Sequence, residues 1–104
     1  MVTDKITNAQ IHTQANVFFD GKCVSHTVTL PSGERKSVGV ILPSTLRFDL
    51  TTREVMEVVD GTAHVSINGA AEQAFGAGQS WTVEAGGYFI IRAEQPVHYV
   101  CHFG

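Results

Sequence analysis

Turn signals recur at short intervals along this chain, and they limit every regular element between them to a short run. Asp20-Gly21, Asn68-Gly69 and Gly86-Gly87 are examples of such signals. No stretch places apolar residues at helical spacing over three turns without an interrupting Gly or Pro. We therefore expect the chain to fold from short strands and not from long helices.

The residues between the turns favour strands. Val and Ile total 19 while Leu totals four, and ten Thr add further β-branched side chains, which suit a pleated surface. Residues 23–30 alternate, so that one face carries Val24, His26, Val28 and Leu30 and the other carries Cys23, Ser25, Thr27 and Thr29. This pattern predicts a strand with one apolar and one polar face.

Nine runs predict strands of this kind. They cover residues 15–19, 23–30, 35–42, 46–50, 53–59, 62–67, 79–83, 88–93 and 97–103. Residues 1–14 are expected to form a flexible tail, followed by one domain over residues 15–104. Many short strands with dense turns predict an all-β sandwich or barrel, and the missing Cys, Trp, Cys arrangement argues against the antibody type.

Charge and hydropathy exclude several functions. Seven basic and ten acidic side chains give a net charge of -3, and no basic run indicates nucleic-acid binding. The longest apolar stretch, residues 38–42, is far shorter than the roughly 20 residues that cross a bilayer, and the polar start does not resemble a signal peptide. We expect a cytoplasmic protein with no membrane partner, in which Cys23 and Cys101 are free thiols.

Two segments in the centre of the chain resemble the paired motifs of the cupin superfamily. Glu54 lies on a predicted strand that ends in an Asp-Gly turn, and a second strand lies between glycines at residues 78–86. The resemblance implies a single cupin-type jelly-roll barrel. Arg47, Asp49 and Phe89 stand where that family places histidine ligands, and neither a guanidinium nor a phenyl ring can bind a divalent metal. We therefore expect no metal, although His98 and His102 form a weaker alternative pair of ligands.

A narrower resemblance extends over most of the chain. It is carried by NVFFDG at residues 16–21, SHTV at 25–28, SVGVILP at 37–43, EVM at 54–56, AGQS at 77–80 and YVCH at 99–102. In this order and spacing, the segments are similar to the pyrimidine/purine nucleoside phosphorylases, which are small metal-free cupins. The resemblance implies reversible conversion of a nucleoside and phosphate to free base and ribose 1-phosphate, with broad base specificity. One departure is VEAGGYF at residues 83–89, where the family is expected to read Val-Pro-Gly-x-Ser-x-Phe.

Glu54 is the candidate catalytic residue. Displacement at the anomeric carbon passes through an oxocarbenium-like state, which a nearby carboxylate stabilises. Strand alternation from the family position directs Glu54 into the barrel together with Met56. An ion pair with Arg47 or Arg53 at the barrel mouth is the alternative, purely structural interpretation.

Phosphate and the nucleoside need further contacts. Arg47 and Arg35 are the candidate phosphate-binding residues, because a guanidinium matches two phosphate oxygens at once. The candidate substrate-binding residues are Arg47, Asp49, Met56 and Tyr99. Hydroxyls at positions 25, 27, 29 and 37 either bind ribose or belong to an exposed strand face. Tyr99, Trp81 and Phe89 offer surfaces for base stacking.

Two other functions remain open at this point. The same fold can serve as a non-catalytic module that binds a small nucleoside-like or sugar-like ligand, or it can be a metal-dependent cupin enzyme. Neither the phosphorylase nor the binding module requires a cofactor, and inorganic phosphate is the co-substrate of the first. A homodimer is expected, because a domain of this size buries only part of its apolar surface and leaves edge strands open.

Overall fold

The computed structural model describes residues 2–104, which form eleven strands and one short 3-10 helix at Phe19–Gly21. The strands are β1 Gln10–Ile11, β2 Asn16–Phe18, β3 Cys23–Thr29, β4 Arg35–Ile41, β5 Ser44–Asp49, β6 Glu54–Asp60, β7 Ala63–Ile67, β8 Gln73–Phe75, β9 Ser80–Val83, β10 Tyr88–Ala93 and β11 Val97–Phe103. All nine predicted strands are present, within a few residues at their ends. The two additional strands, β1 and β8, are too short to give an alternation signal.

The strands form two antiparallel sheets that face each other. The larger sheet has the order β1-β3-β4-β11-β6-β9, with β2 pairing to β3, and the smaller has the order β5-β10-β7-β8. No ladder joins the two sheets in residues 2–104. The core between them includes Ile41, Val58, Phe89 and Ile91, all with no exposed surface. The all-β prediction is confirmed, and no helix in this part of the chain is long and apolar enough to cross a membrane.

The N-terminal segment packs on the outer face of the larger sheet, where the sequence predicts a flexible tail. Gln10–Ile11 pairs with the end of β3. Closer to the terminus, the backbone N–H and the Oγ1 of Thr3 donate hydrogen bonds of 2.7 and 3.0 Å to the Glu57 carboxylate. Glu57 also accepts a hydrogen bond of 2.9 Å from Nε2 of His102. These contacts join residues that are distant in sequence, so no local sequence pattern predicts them.

Gly39 allows an aromatic side chain to cross its strand. Gly39 pairs with Ser25 on one side and Tyr99 on the other, and the Tyr99 ring extends over it on the inner face. A Cβ at position 39 would lie 2.6 Å from the Val24 carbonyl oxygen and 2.8 Å from the Tyr99 hydroxyl. Only glycine leaves room for this ring beside the backbone.

Gly39→Ala is therefore expected to lower the free energy of unfolding by about 1–3 kcal/mol, because the added methyl must displace backbone or Tyr99. The matched control is Gly76→Ala, where the nearest atom would be 3.8 Å away and the expected change is within about 0.5 kcal/mol. Urea unfolding followed by circular dichroism measures both. Equal stabilities of the two variants would contradict the close approach at Gly39.

Candidate functional site

A cavity of about 260 Å³ lies between the two sheets and opens at one end of the molecule. One wall is polar and is formed by the larger sheet, and the other is aromatic. The lining side chains are Asn16, Phe18, Ser25, Thr27, Ser37, Phe48, Glu54, Met56, Phe89, Tyr99, Cys101 and Phe103. Three sequence-predicted site residues are brought together here, namely Glu54, Met56 and Tyr99.

The polar wall is the face of β3 that alternation predicted to be polar, and this face points inward. Ser25 and Ser37 are buried, and Thr27 pairs with Ser37 across β3 and β4. Asn16 donates its amide to Ser25 Oγ at 3.4 Å and Thr27 Oγ1 at 3.2 Å. Of the two interpretations of these hydroxyls, an exposed face is therefore wrong for Ser25 and Ser37. Thr29 lies further along β3 and does not line the cavity.

Glu54 is the one carboxylic acid that lines the cavity in residues 2–104, and the lining includes no Lys, Arg or His. It begins β6, and alternation along this strand turns Glu54, Met56 and Val58 inward, as predicted from the sequence. The thiol of Cys101 donates a hydrogen bond of 3.3 Å to Glu54 Oε1. Burial raises the pKa of Glu54, and the Cys101 hydrogen bond offsets only part of this effect. No cation lies within ion-pairing distance of Glu54 in the described chain.

Tyr99 and the two cysteines are held in their neutral forms. The Tyr99 hydroxyl lies 3.4 Å from Cys23 Sγ, and burial, together with Cys23, raises its pKa well above the usual value for a phenol. Burial and the neighbouring Glu54 likewise raise the pKa of Cys101. Both cysteines are free and buried. A neutral, buried thiol is a poor nucleophile, so Cys101 acts here as a hydrogen-bond donor.

Arg47 and Asp49 lie on the outer face of the smaller sheet and do not line the cavity, so the structure does not bring these two predicted binding residues together with Glu54. Alternation along β5 turns Leu46 and Phe48 inward and Arg47 outward. Arg47 forms an exposed ion pair of 3.0 Å with Asp49, and its guanidinium lies 4.0 Å above the Tyr88 ring. Counting back along the motif from Glu54 gave the wrong face because the turn between β5 and β6 breaks the alternation.

Arg35 begins β4 and is not among the residues that line the cavity. Its side chain is exposed, and alternation along β4 places it on the same inner face as Ser37. Thr29 pairs with Arg35, and Phe103 pairs with Glu54 on the neighbouring strands. Because His102 pairs with Lys36, the register places Arg35 next to Phe103 and in the same cross-strand row as Glu54. In the described residues Arg35 has no ion-pair partner.

The aromatic wall was missed by the sequence analysis, apart from Phe89. Phe48 stacks on Phe89 with the ring centroids 5.2 Å apart, and Phe18 and Phe19 approach the edge of Phe48 at 6.5 and 5.3 Å. Trp81 packs behind Phe89 and does not reach the cavity. A run of two Phe residues before an Asp-Gly turn was the one local signal that pointed to this wall.

Comparison with known proteins identifies the family of this chain. The sequence profile of the pyrimidine/purine nucleoside phosphorylase family matches residues 13–103. This chain belongs to that family. A relative from Laribacter hongkongensis, named a pyrimidine/purine nucleoside phosphorylase, is 53% identical over 98 residues, covering 93% of this chain and 95% of that protein.

Solved structures share the family fold. A protein of unknown function from Acinetobacter sp. ADP1 is 34% identical with a TM-score of 0.93, covering 96% of this chain and 98% of its own. An RmlC-like cupin from Shewanella frigidimarina is 15% identical with a TM-score of 0.71 and 93% coverage of both chains. The second similarity concerns the fold alone and confirms the predicted cupin-type architecture.

The positions that correspond to cupin metal ligands carry no ligand set in this family member. Phe89 is fully buried against Phe48, and residues 2–104 contain no group of three or more His, Cys, Asp or Glu side chains arranged around a common point. The alternative pair, His98 and His102, lies on the outer face of β11, where His102 contacts Glu57 and Lys36. Their outward direction separates both histidines from the cavity.

Glu54 and Glu57 lie three residues apart on β6, and they are expected to affect stability in opposite directions. The folded pKa of Glu54 is raised, so above the unfolded value of about 4.3 its ionisation weakens the fold. Burial also opposes ionisation of Glu57, but hydrogen bonds from Thr3 and His102 lower its pKa overall. Its stabilising effect is therefore present above about pH 4.3 and is lost as the pH falls through the lower folded pKa.

At pH 7, Glu54→Gln is expected to match or exceed the wild-type free energy of unfolding, whereas Glu57→Gln is expected to fall below it. Both differences should shrink as the pH is lowered and the carboxyl groups become protonated. Urea unfolding at several pH values between 3 and 7 measures them. A marked loss of stability at pH 7 for Glu54→Gln would mean that the ionised carboxylate stabilises the fold.

Proposed function

We propose that this chain catalyses the reversible phosphorolysis of nucleosides, with inorganic phosphate as co-substrate and without a cofactor. The observation that carries the proposal is the uncompensated carboxylate of Glu54 inside a hydroxyl-lined cavity. Family membership supports it, since the relatives bear the name of this activity. A partly buried acid without a cation partner costs stability, and such a cost is typical of functional sites.

The proposed reaction is a displacement at the anomeric carbon of the sugar. A phosphate oxygen attacks the anomeric carbon, the bond from that carbon to the base nitrogen breaks, and the proton of hydrogen phosphate passes to the departing base. Positive charge develops on the sugar ring as the bond lengthens, and the ionised Glu54 stabilises that charge. Hydroxyls of Ser37 and Thr27 lie on the same wall and orient the sugar through hydrogen bonds.

Arg35 is proposed to hold the phosphate at the cavity mouth. Strands lie about 4.8 Å apart, and one strand separates Arg35 from Glu54 in their common row, so the two backbones are about 10 Å apart. A guanidinium that extends along this inner face brings its donors toward an anion seated above Ser37. The absence of an ion-pair partner in residues 2–104 leaves those donors available.

Purified protein incubated with inosine or uridine is expected to release free base only when phosphate is present. Glu54→Gln is expected to lower kcat by about 10²–10³-fold, because it removes charge stabilisation of the transition state. Glu57→Gln, on the outer face of the same strand, should keep wild-type kcat and serves as the matched control. Base release followed by chromatography measures all three proteins. Undiminished kcat in folded Glu54→Gln would reject this role.

Arg35→Gln is expected to raise KM for phosphate by about 10- to 150-fold, which corresponds to the loss of charge-assisted hydrogen bonds of about 1.5–3 kcal/mol. KM for the nucleoside should stay near the wild-type value. Arg92→Gln is a suitable comparison, because Arg92 lies in exposed ion pairs with Glu72 and Glu94 on the smaller sheet. Unchanged phosphate KM in Arg35→Gln would assign the anion to another group.

A second candidate function is a non-catalytic module that binds an uncharged sugar or nucleoside. One observation favours it, namely that no cationic side chain lines the cavity itself in residues 2–104. This candidate predicts nucleoside binding without release of base, whether or not phosphate is present. The same incubation therefore separates the two functions.

We further propose that the protein is a cytoplasmic homodimer. Apolar side chains remain exposed on the outer surface, with Ile11 exposed to 66% and Val17 to 62%. The sheets also end in edge strands that have one unpaired side, among them β9 in the larger sheet and β5 in the smaller. Burial of apolar surface against a second copy is a common way for small domains to gain stability.

A further inference from the structure

The aromatic wall is composed of side chains from both sheets. Phe18 ends β2 in the larger sheet, and Phe48 lies on β5 in the smaller sheet. The two rings meet edge to face with centroids 6.5 Å apart, and Phe48 also stacks on the buried Phe89. Phe18 therefore extends from the polar wall toward the opposite sheet and narrows the mouth of the cavity.

The backbone that carries Phe18 continues through a left-handed segment. Phe19, Asp20 and Gly21 have φ values of +51°, +53° and +91°. Left-handed backbone is rare for a bulky side chain such as Phe19 and costs of order 1 kcal/mol or more. The ring of Phe19 packs against Phe48 with the ring centroids 5.3 Å apart. The strained turn therefore fixes Phe18 and Phe48 relative to each other.

The cavity is large enough for the sugar of a nucleoside but not for the whole nucleoside. A cavity of about 150 Å³ is known to hold one benzene molecule, so the 260 Å³ present here accepts a pentose but lies below the range of about 300–1,000 Å³ typical of ligand sites. The base therefore remains at the mouth. There it meets Phe18, which is 45% exposed although it is a large apolar side chain.

We propose that Phe18 and Phe48 form the base-binding surface of the site and that they recognise the base by its aromatic face alone. This inference rests on the proposed function and names the residues that determine its base specificity. Stacking accepts purines and pyrimidines alike, because every base has a π face. Asn16 is the nearest polar side chain on the same strand, and its amide is already hydrogen-bonded to Ser25 and Thr27.

Phe18→Leu tests the proposal, since leucine keeps an apolar side chain at this position but has no aromatic face. KM for inosine and for uridine is expected to rise by about 5- to 150-fold, the range of one lost base stack, while KM for ribose 1-phosphate in the synthesis direction stays unchanged. Phe18→Tyr keeps the ring and should retain wild-type KM values. Val17→Ala, on the opposite face of β2, is the matched control.

The outcomes are distinct. Unchanged nucleoside KM in Phe18→Leu, or an equal rise in KM for ribose 1-phosphate, would overturn the stacking surface while leaving phosphorolysis intact. If the wild-type protein releases no base, the proposed function fails, and calorimetric titration with the free bases adenine and uracil then tests the surface alone. Binding to wild type that weakens in Phe18→Leu supports it, and equal or absent binding in both rejects it.

Discussion

Polar side chains that alternate into the space between the two sheets determine how this molecule is built. Ser25 and Ser37 reach the interior because side chains along a strand alternate with a period of two, and Glu54 reaches it for the same reason. Tight hydrophobic packing cannot surround such groups without leaving donors and acceptors unpaired. Buried hydrophobic side chains fill one part of the space between the sheets, and the cavity occupies another.

Strand alternation also explains how far the sequence could predict the site. The inward direction of Glu54 and Met56 followed from strand alternation combined with the position of Glu54 in the family motif. Arg47 was misplaced because its position was counted through a turn, and a turn resets the face on which the next strand presents its side chains. The location of Arg35 relative to Glu54 could be found only from the pairing register across three strands, and this register depends on contacts far apart in sequence.

The aromatic wall and the N-terminal segment were beyond sequence reasoning for a related cause. Phe18 and Phe48 are 30 positions apart and belong to different sheets, so the sequence pattern around each residue does not predict their contact. Thr3 binds Glu57 across 54 positions, and the segment that carries it has no periodicity of its own. The fold class and strand positions are local properties of the chain, whereas the walls of the cavity come from the way the sheets face each other.

Tyr99 divides the interior of the protein, because its ring crosses Gly39 with the hydroxyl against Cys23. On one side lie Cys23, Ile41 and Val97, all essentially without solvent exposure, and on the other lie side chains that line the cavity. Mutational tolerance should therefore differ between the two sides. Substitutions behind the Tyr99 ring disturb the buried core and lower stability, whereas substitutions in front of it change the lining of the cavity and disturb the core less. Protein engineers could exploit that separation to vary chemistry and robustness independently.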